Sequence, residues 1–142
     1  MSEIKATCIS KSKGAKAKVA EVVLLKDIGV EDDYHAKGGE RQVSILAARS
    51  IQKMKDKGLK IEDGAFGENI VTEGIDLLSL KVGQKLKISE AEIEISKIGK
   101  ECLERCSIYY AAGDCIMPRE GVFARVLKSG RVKAGDSMEV IS

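Results

Sequence analysis

What this chain lacks narrows the functions it can serve. It has no tryptophan, three tyrosines and two phenylalanines, and its formal net charge is only +2, from 24 basic and 22 acidic residues. No basic run is interleaved with aromatic residues, so a nucleic-acid partner is not expected. Local basic clusters still suit a small anionic ligand, because the local field matters more than the total charge.

Long apolar runs are also missing. No stretch reaches the length of a membrane span, and the first residues lack the apolar segment of a secretory signal. We therefore expect a cytoplasmic protein without a membrane partner. In a reducing compartment its four cysteines are expected to be free, metal-bound or catalytic. If they were oxidised, three pairings would be open.

The remaining composition is that of one ordinary globular domain over residues 1–142. Hydrophobic residues make up 44% and charged residues 32% of the chain, a normal balance. With so few aromatic residues, we expect a core of Ile, Val, Leu and Ala.

Short alternating segments predict a mainly β protein. The clearest is Ala91–Ile98, where Ile93 and Ile95 share one face and Glu92 and Glu94 the other. Further strands are predicted over 4–9, 19–25, 42–46 and 70–72, with a basic loop over 11–18 and a long irregular loop over 26–41. Residues 82–88 and 134–140 are similar in sequence: each has a turn glycine, then a polar residue and then a segment of alternating residues.

One main helix is predicted over 47–57. Ala47, Ile51 and Met54 form an apolar stripe at helical spacing, Ser44 is the expected cap and Gly58 the expected end. One or two short helices are predicted near 101–112 and 118–127. Regularly spaced strands with a single main helix favour a β-barrel with a helical addition over a doubly wound α/β sheet.

Three cysteines, Cys102, Cys106 and Cys115, fall within fourteen positions among basic residues. The thiolate is the nucleophile and the metal ligand, and nearby positive charge lowers the pKa of a thiol. The cluster therefore suggests sulfur chemistry or soft-metal binding, whereas Cys8 lies in a predicted strand and is interpreted as structural. The alternative for each clustered cysteine is a buried position in the core.

Four motifs follow one another in the chain. The first is Asp33-Tyr34-His35-Ala36-Lys37 together with residues 41–46, and the second is residues 64–70 together with 72–75. The third is Leu80-x-Val82-Gly83, and the fourth is Ile93-x-Ile95-x-x-Ile98, which leads to Cys102. In this order they resemble the MOSC domain, the module found at the C-terminus of molybdenum cofactor sulfurases. The resemblance runs from about residue 23 to the C-terminus. It is closest to the small stand-alone prokaryotic type, in which Cys-x-x-x-Cys occurs together with the Gly-Asp-Cys-Ile-Met-Pro-Arg-Glu-Gly seen at 113–121. Glu101 departs from the pattern, because many members have proline there.

The resemblance implies a MOSC-like β-barrel that handles the molybdenum cofactor or its sulfur. It implies Cys102 as the reactive thiol, acting as persulfide carrier in a sulfurtransferase-like reaction or as thiolate ligand to molybdenum. Cys106 and Cys115 are the candidates for a resolving thiol and a second ligand. The expected partners are an anionic pterin or sulfur-bearing ligand, a cysteine desulfurase or a molybdoenzyme. The sulfurases also carry a pyridoxal-phosphate domain, for which we expect no room in these 142 residues.

Five residues are predicted to contact the bound cofactor: His35, Arg41, Asn69, Lys100 and Arg119. Each has a structural alternative. A lone histidine is usually a hydrogen-bonded structural residue, and the arginines can pair with surface carboxylates. Lys100 can be an ordinary surface lysine, and Asn69 can simply set a tight turn.

Two other functions stay open at this stage. The first is a structural or storage zinc site built from the three clustered cysteines with His35, although a Cys-x₃-Cys-x₈-Cys spacing lacks the usual tight pair. The second is a non-enzymatic module that delivers the cofactor to an apo-enzyme through an exposed apolar patch.

Overall fold

The computed structural model of the chain describes residues 3–10, 16–33, 42–56, 58, 68–75, 77–98 and 121–141. These residues form eleven strands, one α-helix and a short 3-10 helix at Leu77–Ser79. The strands are β1 (Glu3–Ile9), β2 (Ala17–Val19), β3 (Glu21–Leu25), β4 (Gly29–Val30), β5 (Val43–Ala47), β6 (Ile70–Glu73), β7 (Lys85–Ile88), β8 (Ala91–Ile98), β9 (Val122–Lys128), β10 (Gly130–Lys133) and β11 (Met138–Val140). The helix α1 spans Ala48–Asp56. The expected mainly β fold class with one main helix is confirmed.

Eight of the strands form one curled sheet in the order β11-β7-β8-β9-β5-β6-β1-β2, and β10-β3-β4 form a second sheet. Neighbours in the large sheet are antiparallel except β5 and β6, which are parallel. That exception follows from α1, because parallel strands need a long crossover connection.

The large sheet curls into a half-barrel in which β1 contacts the turn that precedes β11. Glu3 of β1 bridges to Ser137, just before β11. The Ile4 amide donates to the Asp136 carbonyl at 2.9 Å, and the Gly135 amide donates to the Ile4 carbonyl at 2.7 Å. These contacts join the first strand of the chain to the turn that precedes the last.

The concave interior is filled with aliphatic side chains, as the composition predicts. In β8, Ala91, Ile93 and Ile95 are fully buried while the residues between them are half-buried. This is the alternation read from the sequence, and it confirms the predicted bounds of that strand.

The helix α1 packs on β5 and β6. It buries Ile51 and Met54 of the predicted stripe, together with Ser50. Gly58 ends it as expected: its φ is +93° and its amide donates to the Lys55 carbonyl at 2.9 Å. The predicted cap at Ser44 is wrong, because β5 continues to Ala47 and the helix starts directly after it.

The predicted short helix near 118–127 is also wrong over its described part. Residues 122–128 form β9, a central strand between β5 and β8. Val122, Phe123, Ala124 and Val126 are all buried there, so pairing and burial on both sides outweigh helix propensity. The other predicted short helix, 101–112, lies outside the described residues.

The two similar segments form equivalent turns. In Lys81-Val82-Gly83-Gln84 and Lys133-Ala134-Gly135-Asp136, the first carbonyl accepts the last amide at 3.0 and 3.1 Å. The glycines have φ of +96° and +95°, as a type II turn requires. The strands that follow them, β7 and β11, pair antiparallel with Ile88 opposite Met138.

Candidate functional site

The segment that carries the clustered cysteines, 99–120, lies outside the described residues, but the strands on both sides of it are described. Ile98 at the end of β8 is opposite Val122 at the start of β9, and Val122 is opposite Ile45 of β5. Two residues further along β5, Ala47 is opposite Thr72 of β6. Both ends of the segment therefore leave the sheet beside the carboxyl ends of β5 and β6. We call this edge the carboxyl rim.

A cavity of about 470 Å³ opens at the carboxyl rim. Its volume is in the range of ligand-binding pockets, roughly 300–1,000 Å³. It lies where β5 passes into α1 and just beyond β6. It is lined by Ala47, Ala48, Arg49, Thr72, Glu73, Gly74 and Ile75.

Thr72 is the unusual member of this lining. The residue is 1% exposed, and its hydroxyl oxygen Oγ1 is buried without a hydrogen-bond partner. Such a group costs stability unless something satisfies it. Thr72 and its neighbour across the ladder, Ala47, both line the cavity, whereas the hydroxyl oxygen itself is buried.

Charge at the cavity is mixed. Arg49 is exposed and positive, and Glu73 is exposed and negative. The first turn of α1 has no acidic residue of its own, so the acidic group that faces its partial positive charge across the cavity is Glu73 of β6.

Of the predicted site residues, only Asn69 is described, and its side chain is fully buried. Its Oδ1 accepts the Ser44 amide at 3.1 Å and the Ser44 hydroxyl at 3.3 Å, and its Nδ2 donates to the Cys8 carbonyl at 3.1 Å. The Asn69 backbone amide also donates to the Ser44 carbonyl at 2.8 Å. The residue thus joins β1, β5 and the start of β6. Its contact with a cofactor stays a prediction.

A buried ion pair lies at the opposite end of β5. The Lys16 ammonium donates to both carboxylate oxygens of Asp33, at 2.8 and 2.9 Å, and both side chains are 0% exposed. Asp33 Oδ1 also accepts the Ser10 amide at 2.9 Å. Sequence reasoning did not find this pair, because Lys16 stands in a segment interpreted as a solvated loop.

The segment with His35 and Arg41 is flanked by Asp33 and Gln42. Gln42 is anchored at the amino end of β5, where its Oε1 accepts the Val126 amide at 2.9 Å. From Gln42 to Ala47 is five strand steps, about 16 Å. A pocket shared by His35, Arg41 and Cys102 stays a prediction.

The other predicted site residues lie outside the described residues and stay predictions: His35, Arg41, Lys100, Cys102, Cys106, Cys115 and Arg119. Within the described ranges no group of three or more His, Cys, Asp or Glu side chains is placed to hold a metal. No helix in those ranges is long and apolar enough to cross a bilayer. Sequence reasoning did not find Arg49 or Thr72 as site residues. The sequence feature that could have indicated them is a strand, β5, followed directly by the helix α1 and then by a strand, β6, that is parallel to the first.

Comparison with known proteins gives a family and a fold. Residues 32–139 match the model of the MOSC domain. The uncharacterized protein YflK of Bacillus subtilis (strain 168) is 24% identical over 86 residues, which are 58% of this chain and 39% of that protein. The match therefore spans well under half of that relative.

Among solved structures, the YuaD protein from Bacillus subtilis superposes with a TM-score of 0.79 at 19% identity, covering 99% of this chain and 96% of that one. YiiM from Geobacillus stearothermophilus superposes with a TM-score of 0.76 at 18% identity, covering 100% and 76%. YiiM from Escherichia coli gives 0.69 at 20% identity, covering 99% and 70%. At these identities the likeness shows a shared fold.

Proposed function

Because the chain belongs to the MOSC domain family, we propose that it binds a molybdenum-pterin or another anionic, sulfur-bearing ligand through the thiolate of Cys102. The family is associated with molybdenum cofactor sulfurases. The proposed role is sulfuration, carriage or delivery of that cofactor. A thiolate suits this ligand class, because soft sulfur ligands prefer soft metal–sulfur centres.

The observation that carries the proposal is the position of the strand ends. Ile98 and Val122 are paired at the carboxyl rim, close to the ends of β5 and β6 between which the cavity opens. Cys102 is four residues beyond Ile98, so its Cα lies within about 14 Å of that rim. Cys106 and Cys115 are eight and seven residues from the paired ends, so chain length alone allows them to lie farther from the rim. Chain reach therefore favours Cys102 as the thiol that meets a ligand in the cavity.

The described residues fit one end of such a ligand. The cavity is large enough for an organic group, and Arg49 on its lining is a cation that suits an anionic ligand. The cofactor, when bound, supplies the soft metal–sulfur centre. Cys102 supplies the thiolate that meets it.

The sulfur-carrying step needs no outside oxidant. The Cys102 thiolate attacks the terminal sulfur of a donor persulfide, such as that of a cysteine desulfurase. A new sulfur–sulfur bond forms on Cys102, and the donor's sulfur–sulfur bond breaks. The donor cysteine leaves as a thiolate, so the terminal sulfur is passed on without net oxidation or reduction.

Mass spectrometry tests the proposal directly. After incubation with a cysteine desulfurase and cysteine, we expect an adduct of about 32 Da, one sulfur atom, on the peptide containing Cys102. Cys102→Ser is expected to abolish it, and Cys8→Ser, which alters a cysteine with 0% exposure, is expected to leave it unchanged. Failure to see the adduct, together with failure to bind a molybdenum-pterin, would contradict the proposal. Stoichiometric zinc in the purified protein would favour the structural metal site instead.

A further inference from the structure

We draw no further inference here: the strongest candidate, the cluster of buried charged side chains at the amino end of β5 in which Lys16 pairs with Asp33, carries nothing, because the segment that it would position, residues 34–41, lies outside the described residues.

Discussion

Lys16 and Asp33 form a fully buried ion pair, in which one ammonium group contacts both oxygens of one carboxylate at 2.8 and 2.9 Å. The pair ties the segment entering β2 to the segment that follows β4. The Asp33 carboxylate also accepts a hydrogen bond from the Ser10 amide, just past the end of β1. Three separate parts of the chain therefore meet at one carboxylate, immediately before the segment that carries His35 and Arg41.

Removing one member of this pair should be costly. Lys16→Met leaves the buried Asp33 carboxylate without its ammonium partner, and we expect the free energy of unfolding to fall by about 3–5 kcal/mol. Replacing both residues, as Lys16→Met with Asp33→Leu, should cost clearly less, because no uncompensated charge remains. Urea unfolding measures both values. The control is Arg131→Gln, which breaks a 4.0 Å surface pair with Glu21 and should leave the free energy nearly unchanged. A double variant no more stable than the single one would contradict the account.

Asn69 gives a second stability prediction. Asn69→Ala removes a buried side chain that bonds Ser44 of β5 and the Cys8 carbonyl of β1. We expect a loss of about 2–4 kcal/mol, since the Ser44 amide, the Ser44 hydroxyl and the Cys8 carbonyl each lose a hydrogen bond. Gln52→Ala is the matched control, because its amide bonds Asp56 at 3.0 Å on the exposed face of α1. If Asn69→Ala instead left the urea midpoint unchanged and weakened only ligand binding, the amide would be a cofactor contact and not a clamp between strands.

Local patterning predicted those parts of the fold that show a simple period. Strand β8 has one buried and one half-buried face, so its alternation gave the correct bounds. Strand β9 begins with three consecutive buried residues, Val122, Phe123 and Ala124. A strand covered on both faces loses the period of two, and a short apolar run does not distinguish strand from helix. Strands β2 and β4, with three and two residues, are too short to show any period.

The site was harder to predict because its contacts are distant in sequence. Lys16 and Asp33 are seventeen positions apart, and Asn69 contacts Cys8 across sixty-one. No window of neighbouring residues contains either contact. Ser44 illustrates the error that follows. Next to a predicted helix it has the sequence features of a cap, but its hydroxyl donates to Asn69 Oδ1 at 3.3 Å and accepts the Asn69 amide at 3.1 Å.

The two equivalent turns predict equal effects of two distant substitutions. Gly83 and Gly135 have nearly the same positive φ, and a methyl group at either would meet no atom within 4 Å. Gly83→Ala and Gly135→Ala should therefore each cost about 1–2 kcal/mol, from backbone strain alone. Gly130→Ala should cost more for a different reason, because its Cβ would lie 2.7 Å from the Ala91 backbone nitrogen. Unequal urea midpoints for Gly83→Ala and Gly135→Ala would show that the two turns do not contribute equally to stability.

The four cysteines should separate into two classes under alkylation. Cys8 is 0% exposed within β1, so its thiol is expected to react only when the protein unfolds. Incubation of the native protein with iodoacetamide should therefore add at most three carbamidomethyl groups, out of four cysteines in the chain. The fourth should appear only in concentrated urea. Intact-mass measurement counts the adducts and peptide mapping locates them.

Cys8→Val serves as the control, because it should remove the urea-dependent adduct and leave the native pattern unchanged. Modification of Cys8 in the folded protein, at a rate similar to that of Cys102, would mean that β1 opens readily. In that case Cys8→Ser would no longer be a valid control for the sulfur-loading experiment.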